Sequence, residues 1–126
     1  MVPNDLRYTK EHEWVRIEGD LATVGITEYA AEQLGDIVFV ELPDLGRSVT
    51  QFAAVGVIES VKAVSDLFAP VGGEVVETNA ELADKPELLN SDPMGQGWML
   101  RIKVADRTQV DRLLDPAAYE ALTSEA

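Results

Sequence analysis

Three patterns predict a mostly β, antiparallel chain with one short helix near its start and a helical C-terminus. Two runs rich in Trp, Val, Ile and Thr flank Gly19-Asp20, the composition of strands joined by a tight turn. Apolar strand formers rise to Lys62, and a second extended run begins at Leu67, so the lysine reads as a hairpin tip. Trp98, Leu100, Ile102 and Val104 alternate with Met99, Arg101 and Lys103, which is the period of a half-buried strand.

Taken in chain order, residues 14–18 and 21–27 make the first hairpin, with Trp14 and Ile17 as core contributors. Thr27 has the hydroxyl of an N-cap, Glu28 suits the positive end of a helix dipole, and Ala30, Ala31 and Leu34 share one face before Gly35. These residues predict a helix over 28–34. Asp36 to Leu42 is almost continuously apolar, the pattern of a central strand, and Pro43-Asp44-Leu45-Gly46 turns the chain. Val49 and Phe52 lead into the strand that climbs to Lys62. Past the tip the chain descends, breaks at Pro70 and resumes at Gly73-Glu74-Val75-Val76-Glu77. Leu82, Leu88 and Leu89 are apolar, but Asp84-Lys85-Pro86 interrupts them, so residues 79–90 should form short helical turns. Gly95 and Gly97 release the chain into the alternating strand, whose Trp98 joins Trp14 as an expected core aromatic. Val110, Leu113 and Leu114 have helical spacing, and Asp115-Pro116 is an N-cap with proline at the first helical position. The last few residues are expected to fray.

A chain of 126 residues fits one domain over 1–126. Its formal charge of −13 would repel nucleic acid and anionic membranes and favours a partner with a basic surface, although acidity also serves plain solubility. The lack of cysteine excludes disulfides, thiolate catalysis and cysteine metal sites, so any redox chemistry must come from an added group. A single histidine rules out a multi-histidine metal site and leaves an all-carboxylate one open; His12 itself reads as a packing or hydrogen-bonding residue. Glu11 and Glu13 suit acid–base work by type, but no nucleophile, oxyanion motif or phosphate-binding glycine loop accompanies them, and no independent active site is expected. The N-terminus lacks the composition of a signal or transit segment and no stretch is long and apolar enough to span a bilayer, so the expectation is a soluble, cytoplasmic protein.

A lysine at a loop tip is ordinarily a solvated charge. Here it stands in Gly56-Val57-Ile58-Glu59-Ser60-Val61-Lys62-Ala63-Val64-Ser65-Asp66, followed by Pro70-Val71-Gly72-Gly73-Glu74-Val75-Val76, which resembles the modification site of lipoyl-carrying domains. Glu11-His12-Glu13-Trp14-Val15, Val24-Gly25-Ile26-Thr27, Leu34-Gly35-Asp36-Ile37-Val38-Phe39-Val40-Glu41-Leu42-Pro43, Asn90-Ser91-Asp92-Pro93 and Gly97-Trp98-Met99 add to it. In these segments and their order the chain resembles the H-protein family of the glycine cleavage system over nearly its whole length. The resemblance implies a lipoyl/biotinyl-type barrel-sandwich hybrid of two antiparallel sheets, one lipoyl-carrier domain, with lipoate covalently bound to Lys62. A primary amine on a flexible stem suits that attachment; the always protonated guanidinium of arginine would not form the amide.

The same resemblance implies a non-catalytic carrier protein of glycine catabolism and one-carbon metabolism. The lipoyl disulfide on Lys62 would take the aminomethyl group of glycine from a pyridoxal-phosphate glycine decarboxylase to a tetrahydrofolate-dependent aminomethyltransferase. A flavin-containing dihydrolipoyl dehydrogenase would reoxidise the arm, a lipoate ligase or lipoyl transferase would attach it, and the chain itself is expected as a monomer. Biotinyl carriers usually place methionine on both sides of the lysine, whereas Lys62 lies between Val61 and Ala63. A biotin carboxyl carrier and a lipoate-relay protein are the alternatives on the same scaffold. Glu13 and Asp66 are candidates for docking the loaded arm, because a charge-assisted hydrogen bond from its amine to a carboxylate outweighs a neutral one. Glu59 is a candidate for recognition by the attaching enzyme, and Ser60 and Ser65 read as turn residues. For each carboxylate the plain alternative is solvation at the surface.

Overall fold

The computed structural model describes residues 6–124, so part of the expected C-terminal fraying, at 125–126, lies outside the described residues. The chain runs β1 (Arg7–Tyr8), β2 (Glu13–Glu18), β3 (Leu21–Ile26), α1 (Glu28–Leu34), β4 (Ile37–Glu41), β5 (Ser48–Val49), β6 (Ala54–Ser60), β7 (Val64–Phe68), β8 (Gly73–Thr78), α2 (Glu81–Asp84), α3 (Leu88–Ser91), β9 (Leu100–Val104) and α4 (Pro116–Ser124). A 3₁₀ turn at Arg107–Arg112 precedes α4. The strands form two antiparallel sheets, one in the order β1-β2-β3-β9-β8-β5 and one in the order β4-β6-β7, and neither closes into a barrel. Val15, Val24, Val75, Leu100 and Ile102 of the larger sheet and Ile37, Val55, Ile58 and Leu67 of the smaller one share one buried cluster.

The first hairpin turns at Gly19 and pairs Val15 with Val24 and Trp14 with Gly25. The last pairing depends on glycine: a Cβ on residue 25 would lie 2.7 Å from the Trp14 indole, so only a bare backbone lets the ring lie across the neighbouring strand. Trp14 is fully buried there and donates from Nε1 to the Pro93 carbonyl at 3.0 Å. α1 has the expected bounds. Thr27 accepts the Ala30 N–H at 3.2 Å, and Gly35, at φ 79°, ends the helix by donating to the Ala31 carbonyl at 3.1 Å. The interruption at Asp84-Lys85-Pro86 leaves two four-residue helices, α2 and α3, as the proline and its polar neighbours predict.

Three expectations are corrected. The run from Asp36 to Leu42 is an edge strand, not a central one: β4 borders only β6, and a bulge between Ile37 and Phe39 breaks its alternation. Ile37, Val40 and Leu42 therefore pack on the core, while Val38 and Phe39 stand 53% and 49% exposed. Trp98 lies outside the regular strand, half-buried, with the Arg101 guanidinium 4.1 Å over its ring, whereas Met99, assigned to the outer face, is fully buried. Val110, Leu113 and Leu114 do not continue a helix, because the 3₁₀ turn stops at Arg112 and Leu114 bridges back to Tyr8. Asp115 then caps α4 by accepting the Ala118 N–H at 2.8 Å. That helix closes a second cluster of Leu6, Tyr8, Trp14 and Tyr119, in which the Tyr8 and Tyr119 rings stack at 4.5 Å. No helix among the described residues is long and apolar enough to cross a membrane.

Candidate functional site

β6 and β7 pair Ile58 with Ser65 and Glu59 with Val64, which leaves Ser60 to Ala63 as the turn and puts Ser65, expected in the turn, inside β7 instead. Ser60 builds it. Its N–H donates to the Ala63 carbonyl at 2.8 Å, and its hydroxyl oxygen accepts from the Ala63 N–H at 3.0 Å and the Lys62 N–H at 3.3 Å. Such short-range bonds hold a tip without a core beneath it. Lys62 is exposed at the apex, and Val61 and Val64 beside it are each 69% exposed. From outside the hairpin the turn is fastened by β4 and the residue before it: Ser60 pairs with Ile37, and the Val61 N–H donates to the Asp36 carbonyl at 3.0 Å. The lysine stem lies over Gly35, close enough that a Cβ there would sit 3.3 Å from Cε. Ordered backbone thus presents a free primary amine.

Glu13 is not a surface carboxylate. It is 2% exposed, accepts from the Thr9 hydroxyl through Oε1 and from the Phe68 N–H at 3.2 Å through Oε2, and its own N–H returns to the Thr9 oxygen at 3.1 Å. Burial pushes its carboxyl up to about 7, against the opposing pull of those donors. The residues around it are fixed by α4: the Tyr119 hydroxyl lies 2.9 Å from His12 Nδ1 and 2.7 Å from the Thr27 hydroxyl, and His12 holds a left-handed φ of 71°. Burial lowers the His12 pKa, with Glu11 opposing, and raises that of Tyr119 to about 12. Thr9, Lys10, Glu11, Phe52 and Phe68 complete a concavity of about 220 Å³ over Glu13.

Two elements join this carboxylate to the lysine. Ile26, paired with Glu13, is followed by the Thr27 cap of α1, and the other end of α1 is Gly35 under the Lys62 stem. Seven helical residues rise about 10 Å. β7 likewise runs from the tip to Phe68, whose N–H binds Glu13. Asp66 is exposed and opens onto a different concavity, with Glu41, Asp44, Arg47 and Val57, so the two arm-docking candidates do not share a cavity. Glu59 lies half-exposed on the outer face of the smaller sheet, between Phe39 and Val64. The sequence pointed to Glu13 but not to its burial, which depends on Thr9, Phe68 and the α4 cluster; nothing within residues 11–15 signals those contacts. Among the described residues no cluster of three or more His, Asp or Glu is placed to hold a metal ion.

Residues 6–126 match the family model of the glycine cleavage H-protein. The chain is 55% identical over 124 residues to the glycine cleavage system H protein of Symbiobacterium thermophilum, covering 98% of this chain and 97% of that one. It is 58% identical over 118 residues to the probable glycine cleavage system H protein of Haloarcula marismortui, at 94% and 93% coverage. The crystal structure of a glycine cleavage system H protein from Mycobacterium marinum superposes with a TM-score of 0.90 at 40% identity, covering 98% of this chain and 99% of that chain.

Proposed function

The chain belongs to the glycine cleavage H-protein family, and from that membership we propose that it is the lipoyl carrier of a glycine cleavage system, with lipoate joined to Lys62. The observation that supports the site is the exposed amine at the apex of a turn whose backbone is hydrogen-bonded on both sides of it. When bound, lipoate would supply a disulfide that takes the aminomethyl group of glycine on one sulfur and is left with a thiol on the other; handing the group on would leave the attached arm as a dithiol, which the dihydrolipoyl dehydrogenase reoxidises. The chain presents the arm, orients its root across Gly35, and keeps the tip clear of its own core. Residues 1–126 act as one carrier domain, with both sheets contributing to one buried cluster. The comparisons favour this reading over a biotin carboxyl carrier or a lipoate relay.

The partners of the proposal are a pyridoxal-phosphate glycine decarboxylase, a tetrahydrofolate-dependent aminomethyltransferase, a dihydrolipoyl dehydrogenase and a lipoate-attaching enzyme, met by a monomeric carrier in the cytoplasm that catalyses no step itself. Glu59, half-exposed beside the tip, is proposed for recognition by the attaching enzyme. Glu13 receives the cargo amine: a positive charge arriving beside it draws its pKa down and leaves the carboxylate to accept the hydrogen bond. Asp66 is the second candidate, at the rim and in water.

Lys62→Arg should fold with a stability change within about 0.5 kcal/mol, because the exposed tip packs against little. Intact-mass measurement after lipoylation should show no added group on it, and glycine decarboxylation with the partner enzymes should be absent. Lipoate mapped to Lys10, Lys85 or Lys103 would defeat the assignment. For the arm, Glu13→Ala and Asp66→Asn carriers are loaded and formaldehyde release is followed without the transferase. Faster release with normal lipoylation supports the docking; release at the native rate from both eliminates it.

A further inference from the structure

The Asn90-Ser91-Asp92-Pro93 segment takes no part in the functions above, yet Asn90 reaches the lysine tip through three consecutive backbone residues. Its side-chain Nδ2 donates to the Gly35 carbonyl at 2.7 Å, and its Oδ1 accepts the Ile37 N–H at 2.9 Å. One amide therefore grips both neighbours of Asp36. Asp36 is the residue whose carbonyl accepts the Val61 N–H, a fastening of the turn to the rest of the fold, and Gly35 is the surface on which the Lys62 stem lies. Neither end of this grip is replaceable by regular structure. Gly35 has left the helix at φ 79°, and β4 begins only at Ile37 on the free edge of its sheet. A segment between a helix end and an edge strand has no ladder on its outer side, so side-chain bonds must hold it.

We propose that Asn90 is a positioning residue for the carrier lysine, acting through Gly35, Asp36 and Ile37 to hold the Val61-Lys62 tip in the arrangement that the lipoate-attaching enzyme recognises. The inference rests on Lys62 being the attachment site. An enzyme that must first order a loosened tip sees only the competent fraction, so the Michaelis constant for the carrier rises while the rate at saturation is kept. Asn90 is exposed, and its loss should leave the core intact.

Three variants decide it. Asn90→Ala removes both bonds. Asn90→Asp keeps the shape and the acceptor for Ile37 but has no donor for Gly35, and serves if the alanine variant folds poorly. Leu88→Ala, on the same helix but without a bond to residues 35–37, controls for damage to α3. The native chain and each variant are lipoylated by a lipoate ligase with lipoate and ATP at varied carrier concentration, and amide hydrogen exchange is read at Val61. For both Asn90 variants the expected result is a Michaelis constant raised about three- to tenfold at unchanged kcat, with faster exchange at Val61. Leu88→Ala should lower the melting temperature and leave both readouts near native. An unchanged Michaelis constant and Val61 exchange in the Asn90 variants, or an equal rise in Leu88→Ala, overturns the proposal. A native chain that takes no lipoate defeats the carrier reading instead, and the Val61 exchange rates still decide whether Asn90 holds the tip.

Discussion

At the Gly35 end of α1 the candidate group is an exposed amine; at the Thr27 end it is a buried carboxylate that shares a concavity with Phe52 and Phe68. The tip is made by residues close in sequence, with Ser60 closing the turn, and its long-range ties pass through one short segment, residues 35–37. The floor is assembled from Thr9, His12, Glu13, Thr27, Phe68 and Tyr119, whose contacts span up to 107 positions of sequence. Local construction leaves the amine accessible and tolerant of change, because little is lost when an exposed group is altered. Long-range construction permits a carboxylate to be held away from water, at the cost of depending on every element that meets there. Substitutions at the tip should thus change function without stability, and substitutions at the floor should change stability first.

The largest effect that separates the two ends is expected from Trp14. It is fully buried, spans from Gly25 to the Pro93 carbonyl, and adjoins Glu13 in sequence. Trp14→Ala should cost about 3–5 kcal/mol in urea unfolding, while the fraction that remains folded should still accept lipoate at the proposed Lys62 site. Trp98→Ala, half-buried and stacked under Arg101, should cost about 1–2 kcal/mol. Equal losses for the two would mean that the second cluster does not depend on Trp14 as its burial implies.

Glu13 gives the next largest effect, and its sign distinguishes burial from solvation. Folding raises its carboxyl from an ordinary 4.5 to about 7, so the folded chain keeps a proton that the unfolded chain releases in that interval. Stability contributed by this group therefore falls as pH rises from about 4.5 and is lost by about 7. Glu13→Gln mimics the protonated carboxyl: its oxygen accepts the Phe68 N–H, and its amide N–H donates to the Thr9 hydroxyl oxygen, reversing the bond that the Thr9 hydroxyl donates to the native carboxylate. It should match the native chain near pH 4 and exceed it by roughly 3 kcal/mol at pH 8. Parallel stability curves for the two chains across that range would place Glu13 in water.

The same division governs what the sequence reveals. The first hairpin, α1 with its Thr27 cap, the Ser60 turn and the capping Asp115 are each written within a few residues, and each was legible. The edge position of β4 was not, since an apolar run reads the same whether its residues face a core on both sides or, after a bulge, partly face solvent. Trp98 and Met99 exchanged their expected environments because the strand starts two residues later than its alternation suggests. Glu13 was legible as a functional candidate through its His-Glu-Trp setting. Its burial was not legible, because Phe68 and Tyr119 come to it only through the folded sheet and the docking of α4.

The smallest effect concerns the rim of the floor, where the two ends of the comparison meet. Phe52 holds a left-handed φ of 68°, fixed by its N–H donating to the Ala69 carbonyl at 2.6 Å, while its ring, half-exposed, faces the Glu13 concavity with Phe68. A side chain in that conformation carries a strain of about 1–2 kcal/mol, and partial burial of the ring returns about as much. Phe52→Ala loses the ring and keeps the strain, and should cost about 1 kcal/mol. Phe52→Gly loses both and should lie within about 0.5 kcal/mol of the native chain. The comparison that matters is between the two variants, since they delete the same ring and differ in the backbone preference of the residue left behind. If glycine proves as destabilising as alanine in urea unfolding, the backbone at residue 52 is unstrained and the ring's contact over Glu13 is a structural part of the floor; if glycine recovers the loss, the ring is there at the expense of the fold, as a wall of the cleft.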